Sequence, residues 1–324
     1  MKHMNNYEKI IGVNSVLYVV WTSSSLGGAQ SIGADLCGEN GIYLSISKEL
    51  TSCNIVGVWE KILIAMDKTE VVLVNDYRAS MFFFPILFYR RFIKRYHNKV
   101  YVVIHSDRPN KASFIVYILS KLKAKLIVTT NVQYDKFISY SPILVRIMKG
   151  KKHNSNFYPK KILFSFIYFG RISIEKQIIE MAYLLNDILK ARSWSLTIIG
   201  TGDKYIIDKL NFIFPDNVRF INKWLKHDEL ASICRENTFV ISNTKYEGAS
   251  LQIIEGVRFG CVPLVRSVGI LTTLKLPWYC DLDNIDYYLN NDVGAYEIQD
   301  IYVKSCFGVN DYFNLPYIGD VIWE

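Results

Sequence analysis

The sequence predicts an α/β protein built on doubly wound parallel sheets, and three observations carry that prediction. Short apolar runs of strand character alternate with longer runs of helical spacing through most of the 324 residues, the pattern of successive βαβ units. Polar or glycine-containing turns follow most of the strand-like runs. A polar, basic, proline-containing stretch over 149–161 has no apolar period and reads as a linker between two domains of ordinary size. We therefore expect a first Rossmann-like domain over 1–155 and a second over 156–324.

In the first half, strands are predicted over 15–21, Val71–Asn75, 100–105 and 125–129. The first leads through a serine-rich stretch into Gly27-Gly28-Ala29, where paired glycines allow positive backbone angles and bring main-chain amides close to a ligand; a flexible turn is the other reading. The region 30–40 carries Gly33 and Gly38, which weaken any helix there. Asn75-Asp76 follows the second strand and could contact hydroxyls or cap the next helix. His105 ends the third strand, where an imidazole facing a cleft can hydrogen-bond a ligand; a structural or surface histidine is the other reading. In the second half, strands are predicted over Ile162–Phe169, Ser195–Ile199, Val218–Ile221, 238–242 and Val262–Val265. Ligands of such sheets bind beyond the carboxyl ends of strands, so His105, Arg171, Gly200 and Glu247 all hold weighted positions. Helical spacing of Leu251, Ile254 and Val257, closed by Gly260 and Pro263, places Glu247 in a strand-to-helix loop and Glu255 inside the helix. Unpaired amides open that helix at Gly248, Ala249 and Ser250 and suit a bound phosphate.

Composition narrows the classes. Half of the chain is apolar, ample for buried cores. No apolar run approaches the ~20 residues needed to span a bilayer; the run over 81–88 is interrupted by Pro85. The polar start of the chain lacks a signal-peptide pattern. Six scattered cysteines without a Cys-x-x-Cys pair point to buried thiols in a reducing cytoplasm and argue against zinc. A formal charge of +8 permits an anionic partner. No nucleic-acid module accompanies it, so anionic lipid is the better candidate. The run over 82–99 interleaves bulky apolar residues with Arg90, Arg91, Lys94, Arg95 and Lys99; it reads as a surface helix resting on lipid headgroups, or as a helix packed on its sheet. Asp281-Leu-Asp283 reads as a turn rather than a metal site.

Arg171 ends a strand, Ser173 is placed to cap the next helix and Lys176 enters its first turn. The two cations so placed can bracket a diphosphate. Gly200-Thr201-Gly202 is a turn after a strand, as compatible with a tight bend as with a ligand contact; Tyr205 replaces the third glycine of a dinucleotide fingerprint.

Taken in order, Phe169-Gly170-Arg171 with Glu175-Lys176, Ile199-Gly200-Thr201-Gly202, Val218-Arg219-Phe220-Ile221, Ser242, Glu247 with Glu255, and Val262-Pro263-Leu264-Val265 with Val268-Gly269 resemble the donor-binding half of a family 4 glycosyltransferase. The resemblance covers about 160–275, and Gly27-Gly28-Ala29 and His105 extend it into the first half. It implies the GT-B architecture, two Rossmann-like domains facing across a cleft, with a tail that packs back on the first. It implies a retaining hexosyltransferase-like enzyme that needs neither metal nor cofactor and uses a UDP- or GDP-linked sugar. Arg171 and Lys176 would hold the diphosphate, Glu247 would lie by the transferred sugar with His105, and Glu255 would bind the ribose hydroxyls. Gly27, Gly28, Gly200, Gly202, Gly248, Ala249 and Ser250 would line the donor. The acceptor would be a glycan or lipid-linked hydroxyl in bacterial surface-polysaccharide synthesis, reached from the cytoplasm at the inner membrane face. The chain departs from the family in Gly248-Ala249-Ser250, where Gly-Phe-Gly is usual. A non-catalytic subunit and a GT-B sugar-nucleotide epimerase are the alternatives; retention of all four charged donor residues argues against the first.

Overall fold

The computed structural model describes residues 16–21, 41–75, 77–92, 99–104, 109–129, 131–144, 162–189, 193–244, 250–265, 280–281, 301–302, 304–305 and 314–315. The chain forms two compact units, Met1–Lys149 with Leu315–Glu324, and Gly150–Asn314. Each contains a six-stranded sheet whose neighbouring strands are all parallel.

In the first unit the strands are β1 (Val16–Val20), β2 (Ile42–Ser45), β3 (Val71–Asn75), β4 (Lys99–Ile104), β5 (Lys125–Val128) and β6 (Ile143–Leu144), in the order β2-β1-β3-β4-β5-β6. Every residue of β1 and β3 is buried. Both faces of these strands are covered, which is why the sequence shows unbroken apolar runs rather than alternation. The helices are α1 (Ile46–Ser52), α2 (Ile55–Asp67), α3 (Tyr77–Phe92), α4 (Pro109–Lys121) and α5 (Asn131–Phe137). Asn54 caps α2 by accepting the Gly57 amide at 2.9 Å, and Pro109 opens α4, where a missing N–H costs nothing. One apolar core joins sheet and helices, with Leu17, Ile62, Phe83, Val102 and Leu119 among its fully buried members.

In the second unit β7 (Ile162–Phe169), β8 (Ser195–Ile199), β9 (Val218–Ile221), β10 (Asn237–Ser242), β11 (Val262–Val265) and β12 (Cys280–Asp281) run in the order β12-β11-β10-β7-β8-β9. The helices α6 (Ile178–Ile188), α7 (Lys204–Ile213), α8 (His227–Glu236) and α9 (Leu251–Arg258) alternate with them. Strands β7 to β9 build outward in one direction and β10 returns to the other side of β7, so the strand order reverses between β7 and β10. The carboxyl ends of strands at such a switch point are where doubly wound sheets bind ligands.

Several sequence expectations change. The run over 82–99 is not one helix: α3 stops at Phe92 and Lys99 already belongs to β4. Pro263 lies inside β11, paired with Val240, so Gly260, at φ +94°, follows the end of α9 without help from it. Asp281 stands in β12 opposite Val265 rather than in a turn. Strands β2, β6 and β12 had no expected counterpart, being only two to four residues long. The linker over 149–161 and the region 30–40 lie outside the described residues.

Candidate functional site

Three loops and one helix start meet at the carboxyl edge of the second sheet. After β7, Gly170, Arg171 and Ile172 lead into a 3-10 turn, Ile174–Lys176. The Tyr168 hydroxyl donates to the Arg171 carbonyl at 2.7 Å and holds this bend. Lys176 therefore lies in the tight turn and not, as its sequence position suggests, in the first turn of the helix. Gln177 intervenes with φ +50°, and α6 begins after it. Ser173 occupies the capping position, yet its side chain makes no cap hydrogen bond. Arg171 pairs with Glu175 of the same turn, Nη2 to Oε2 at 3.3 Å. Both side chains are solvent-facing, so the pair contributes under ~1 kcal/mol and leaves the guanidinium able to exchange partners.

The loop after β8 is laced to this one. The Gly170 amide donates to Ile199, the Ile172 amide to Thr201 and the Asp203 amide to Ile172, at 2.9, 3.0 and 3.0 Å. The approach is so close that a Cβ on Gly200 would overlap the Gly170 carbonyl oxygen, and one on Gly202 would overlap that of Ile172. Both glycines also hold backbone angles that side chains disfavour, φ +150° and +158°. The glycine pair is thus required by loop-to-loop packing. Asp203 then caps α7 by accepting the Tyr205 amide at 2.9 Å.

On the other side of the switch point, β10 ends at Ser242 and leads into Asn243 and Thr244, all three buried. Asn243 Nδ2 donates to the Gln177 carbonyl at 3.3 Å, and Thr244 Oγ1 reaches the Glu175 carbonyl at 3.5 Å. These contacts fasten the turn bearing Lys176 to the end of β10. Neither Asn243, Thr244 nor Gln177 was singled out from sequence; the available signal was a polar triplet directly after a buried strand. The chain then enters α9, whose start is Ser250.

Four buried side-chain oxygens among the described residues lack a hydrogen-bond partner: Ser173 Oγ, Gln177 Oε1, Ser242 Oγ and Ser250 Oγ. All four lie at this edge, on the β7 and β10 sides of the switch point. Buried polar atoms are ordinarily satisfied, because each orphan costs about 1–3 kcal/mol. Their concentration here makes this edge the place where, among the described residues, polar side chains are left unsatisfied within the fold. The amides at the start of α9 add the positive end of a helix dipole beside Ser250.

Glu255 lies on the second turn of α9 and is half-buried. Burial pushes its carboxyl up from 4.5 to about 7, against the pull of Arg258. Burial likewise lowers Arg258, with Glu255 opposing. A carboxyl so desolvated gains strongly from hydroxyl donors that favour its charged form. Directly after it, Gly256 packs on β10 with no room for a side chain: a Cβ would stand 2.7 Å from Val240.

The structure thus brings Arg171, Lys176, Gly200, Gly202 and Ser250 to one edge of one sheet, with Glu255 on the helix that starts there. Gly27, Gly28, His105, Glu247, Gly248 and Ala249 lie outside the described residues.

No family model matches the chain. A glycogen synthase from Aeromonas hydrophila subsp. hydrophila is 28% identical over 114 residues, which are 34% of this chain and 23% of that protein. Among solved structures, Anabaena HepE in complex with UDP and glucose superposes with a TM-score of 0.63 at 12% identity, covering 93% of this chain and 98% of HepE. S. aureus TarM, also solved with UDP, gives 0.58 at 14% identity, covering 83% of this chain but 56% of TarM. The lipopolysaccharide outer core galactosyltransferase WaaB gives 0.53 at 12% identity, covering 93% and 100%. The match therefore spans about a quarter of the glycogen synthase and just over half of TarM. These likenesses establish the fold: two parallel-sheet α/β units, as in GT-B glycosyltransferases.

Proposed function

We propose that this chain is a family 4-type retaining glycosyltransferase that moves a hexose from a nucleoside-diphosphate sugar to a hydroxyl of a glycan or lipid-linked acceptor in surface-polysaccharide synthesis. The observation that carries this reading is the set of orphaned buried oxygens at the switch point of the second sheet, flanked by Arg171, Lys176 and Glu255. HepE and TarM have both been solved with UDP, which favours UDP over GDP as the carrier.

In this reading the diphosphate lies at the start of α9, against Ser250, with Arg171 released from Glu175 and Lys176 on its β7 side. Ribose hydroxyls donate to Glu255 and hold it ionised. Glu247, which the sequence places between β10 and α9, attends the transferred sugar, a role that the family resemblance also gives to His105. The sugar–phosphate C–O bond breaks, a C–O bond to the acceptor forms on the same face, and the acceptor proton passes to the departing diphosphate. Cations and helix-start amides stabilise the charge that grows on the leaving group, so neither metal nor cofactor is needed.

Titration calorimetry with UDP and GDP, followed by product analysis with UDP-sugars and a glycan acceptor, tests it. UDP binding with acceptor-dependent sugar transfer supports the reading. Binding without turnover would indicate a non-catalytic subunit, an altered free sugar nucleotide would indicate an epimerase, and absence of nucleotide binding would overturn the site.

A further inference from the structure

The turn that bears Lys176 has little of its own to hold it in place. It is a single 3-10 turn, Ile174–Lys176, a form with poorer hydrogen-bond geometry than an α-helix. Burial anchors the chain before and after it, at Ile172 and Ile178, but Ile174 is 74% exposed and Glu175 is exposed beside it. Within the turn the Lys176 amide donates to the Ser173 carbonyl and the Gln177 amide to that of Ile174, both at 3.0 Å. These bonds fix the curl of the turn and not its place on the sheet. A lysine ammonium is a point charge on a flexible stem, so the volume it sweeps depends on where its main chain is fixed.

Two side chains beyond the end of β10 supply the missing hold. Asn243 Nδ2 donates to the Gln177 carbonyl, and Thr244 Oγ1 reaches that of Glu175. Gln177 and Glu175 are the residues directly after and directly before Lys176. At 3.3 and 3.5 Å each contact is long and weak alone; together they grip both sides of one residue. Asn243 and Thr244 are themselves buried, so both contacts start from groups held by the fold. Gln177 takes part through its backbone, at φ +50°, while its Oε1 has no hydrogen-bond partner. Its carbonyl also receives the Met181 amide of α6 at 3.0 Å. Removing Asn243 therefore leaves that carbonyl paired and frees only the turn.

We propose that Asn243 and Thr244 are positioning residues that set Lys176 for a diphosphate, an inference that rests on the donor reading above. Neither side chain need touch the ligand; both act through the lysine. A double-mutant cycle on UDP affinity in the full chain, measured by calorimetry, tests this, because residues that act through one another do not add. Lys176→Ala should weaken UDP binding roughly tenfold. Asn243→Ala, and separately Thr244→Val, should each weaken it about fivefold where Lys176 is present and leave it unchanged in Lys176→Ala. Thr244→Ser, which keeps the hydroxyl, should bind UDP as the wild type does, and melting temperatures without ligand should stay close to that of the wild type. Equal losses with and without Lys176, the mark of a role in folding alone, would overturn the inference and leave the donor reading standing. So would wild-type affinity in both Asn243→Ala and Thr244→Val. A wild type that does not bind UDP, or Lys176→Ala that binds it equally well, would overturn the donor reading and this inference with it.

Discussion

Glu255 shows how much a single buried carboxyl can report. Its folded pKa, about 7, lies above the 4.5 expected of the unfolded chain. The folded state therefore holds the proton more tightly, and the stability this confers is complete below about 4.5 and lost as pH rises through about 7. The change is on the order of 3 kcal/mol. Glu255→Gln should remove it, so thermal denaturation of the variant should match the wild type in acid and exceed it above neutrality. UDP affinity should tighten as pH rises through the same range in the wild type and fall roughly tenfold in the variant, by calorimetry. Arg171→Ala and Lys176→Ala should each slow transfer by about 100-fold with little loss of melting temperature, because Arg171 makes only an exposed pair with Glu175. At this scale the sequence revealed charge and order. It could not reveal burial: whether Glu255 faces solvent depends on the tilt of α9, which the flanking Ile253 and Ile254 leave undetermined.

Strand β7 illustrates the element scale. Between its pairs with Asn237 and Phe239 it advances four residues, from Ile162 to Phe166, while β10 advances two. The surplus is taken up in a bulge where Phe164 has φ +64°. A side chain repairs the ladder there: Ser165 Oγ accepts the Thr238 amide at 2.9 Å. Ser165→Ala would leave that buried amide orphaned, and denaturant melts should show a loss of about 1–3 kcal/mol. Gly202→Ala should be more damaging, since it sets a side chain both at a disfavoured angle and into the Ile172 carbonyl; a loss of UDP binding with the loop pairing is expected in calorimetry. The alternation of strands and helices was legible because buried parallel strands write long apolar runs. The bulge was not, because nothing in Ile-Leu-Phe-Ser-Phe distinguishes a regular strand from one that slips by two. Nor was the 3-10 turn, which needs Gln177 in a left-handed conformation that its side chain does not announce.

For the whole molecule, the separate sheets and cores predict that residues 150–314 fold alone. Urea denaturation of that fragment should be cooperative, and UDP should raise its melting temperature by mass action. Fold class was readable because patterning repeats along the chain and tolerates local errors. The strand order was not, since β10 returning beside β7 is a choice between two edges that local composition does not make. The basic excess of the first unit was visible as a total, while the exposure of Met81 and Phe114 became apparent only once α3 and α4 were seen packed on the sheet. Because each unit is compact in itself, the proposed function implies that recipient and cargo specificity would be mechanically separable traits. Exchanging residues 150–314 for the counterpart from another transferase should alter which sugar is delivered while leaving the delivery address intact.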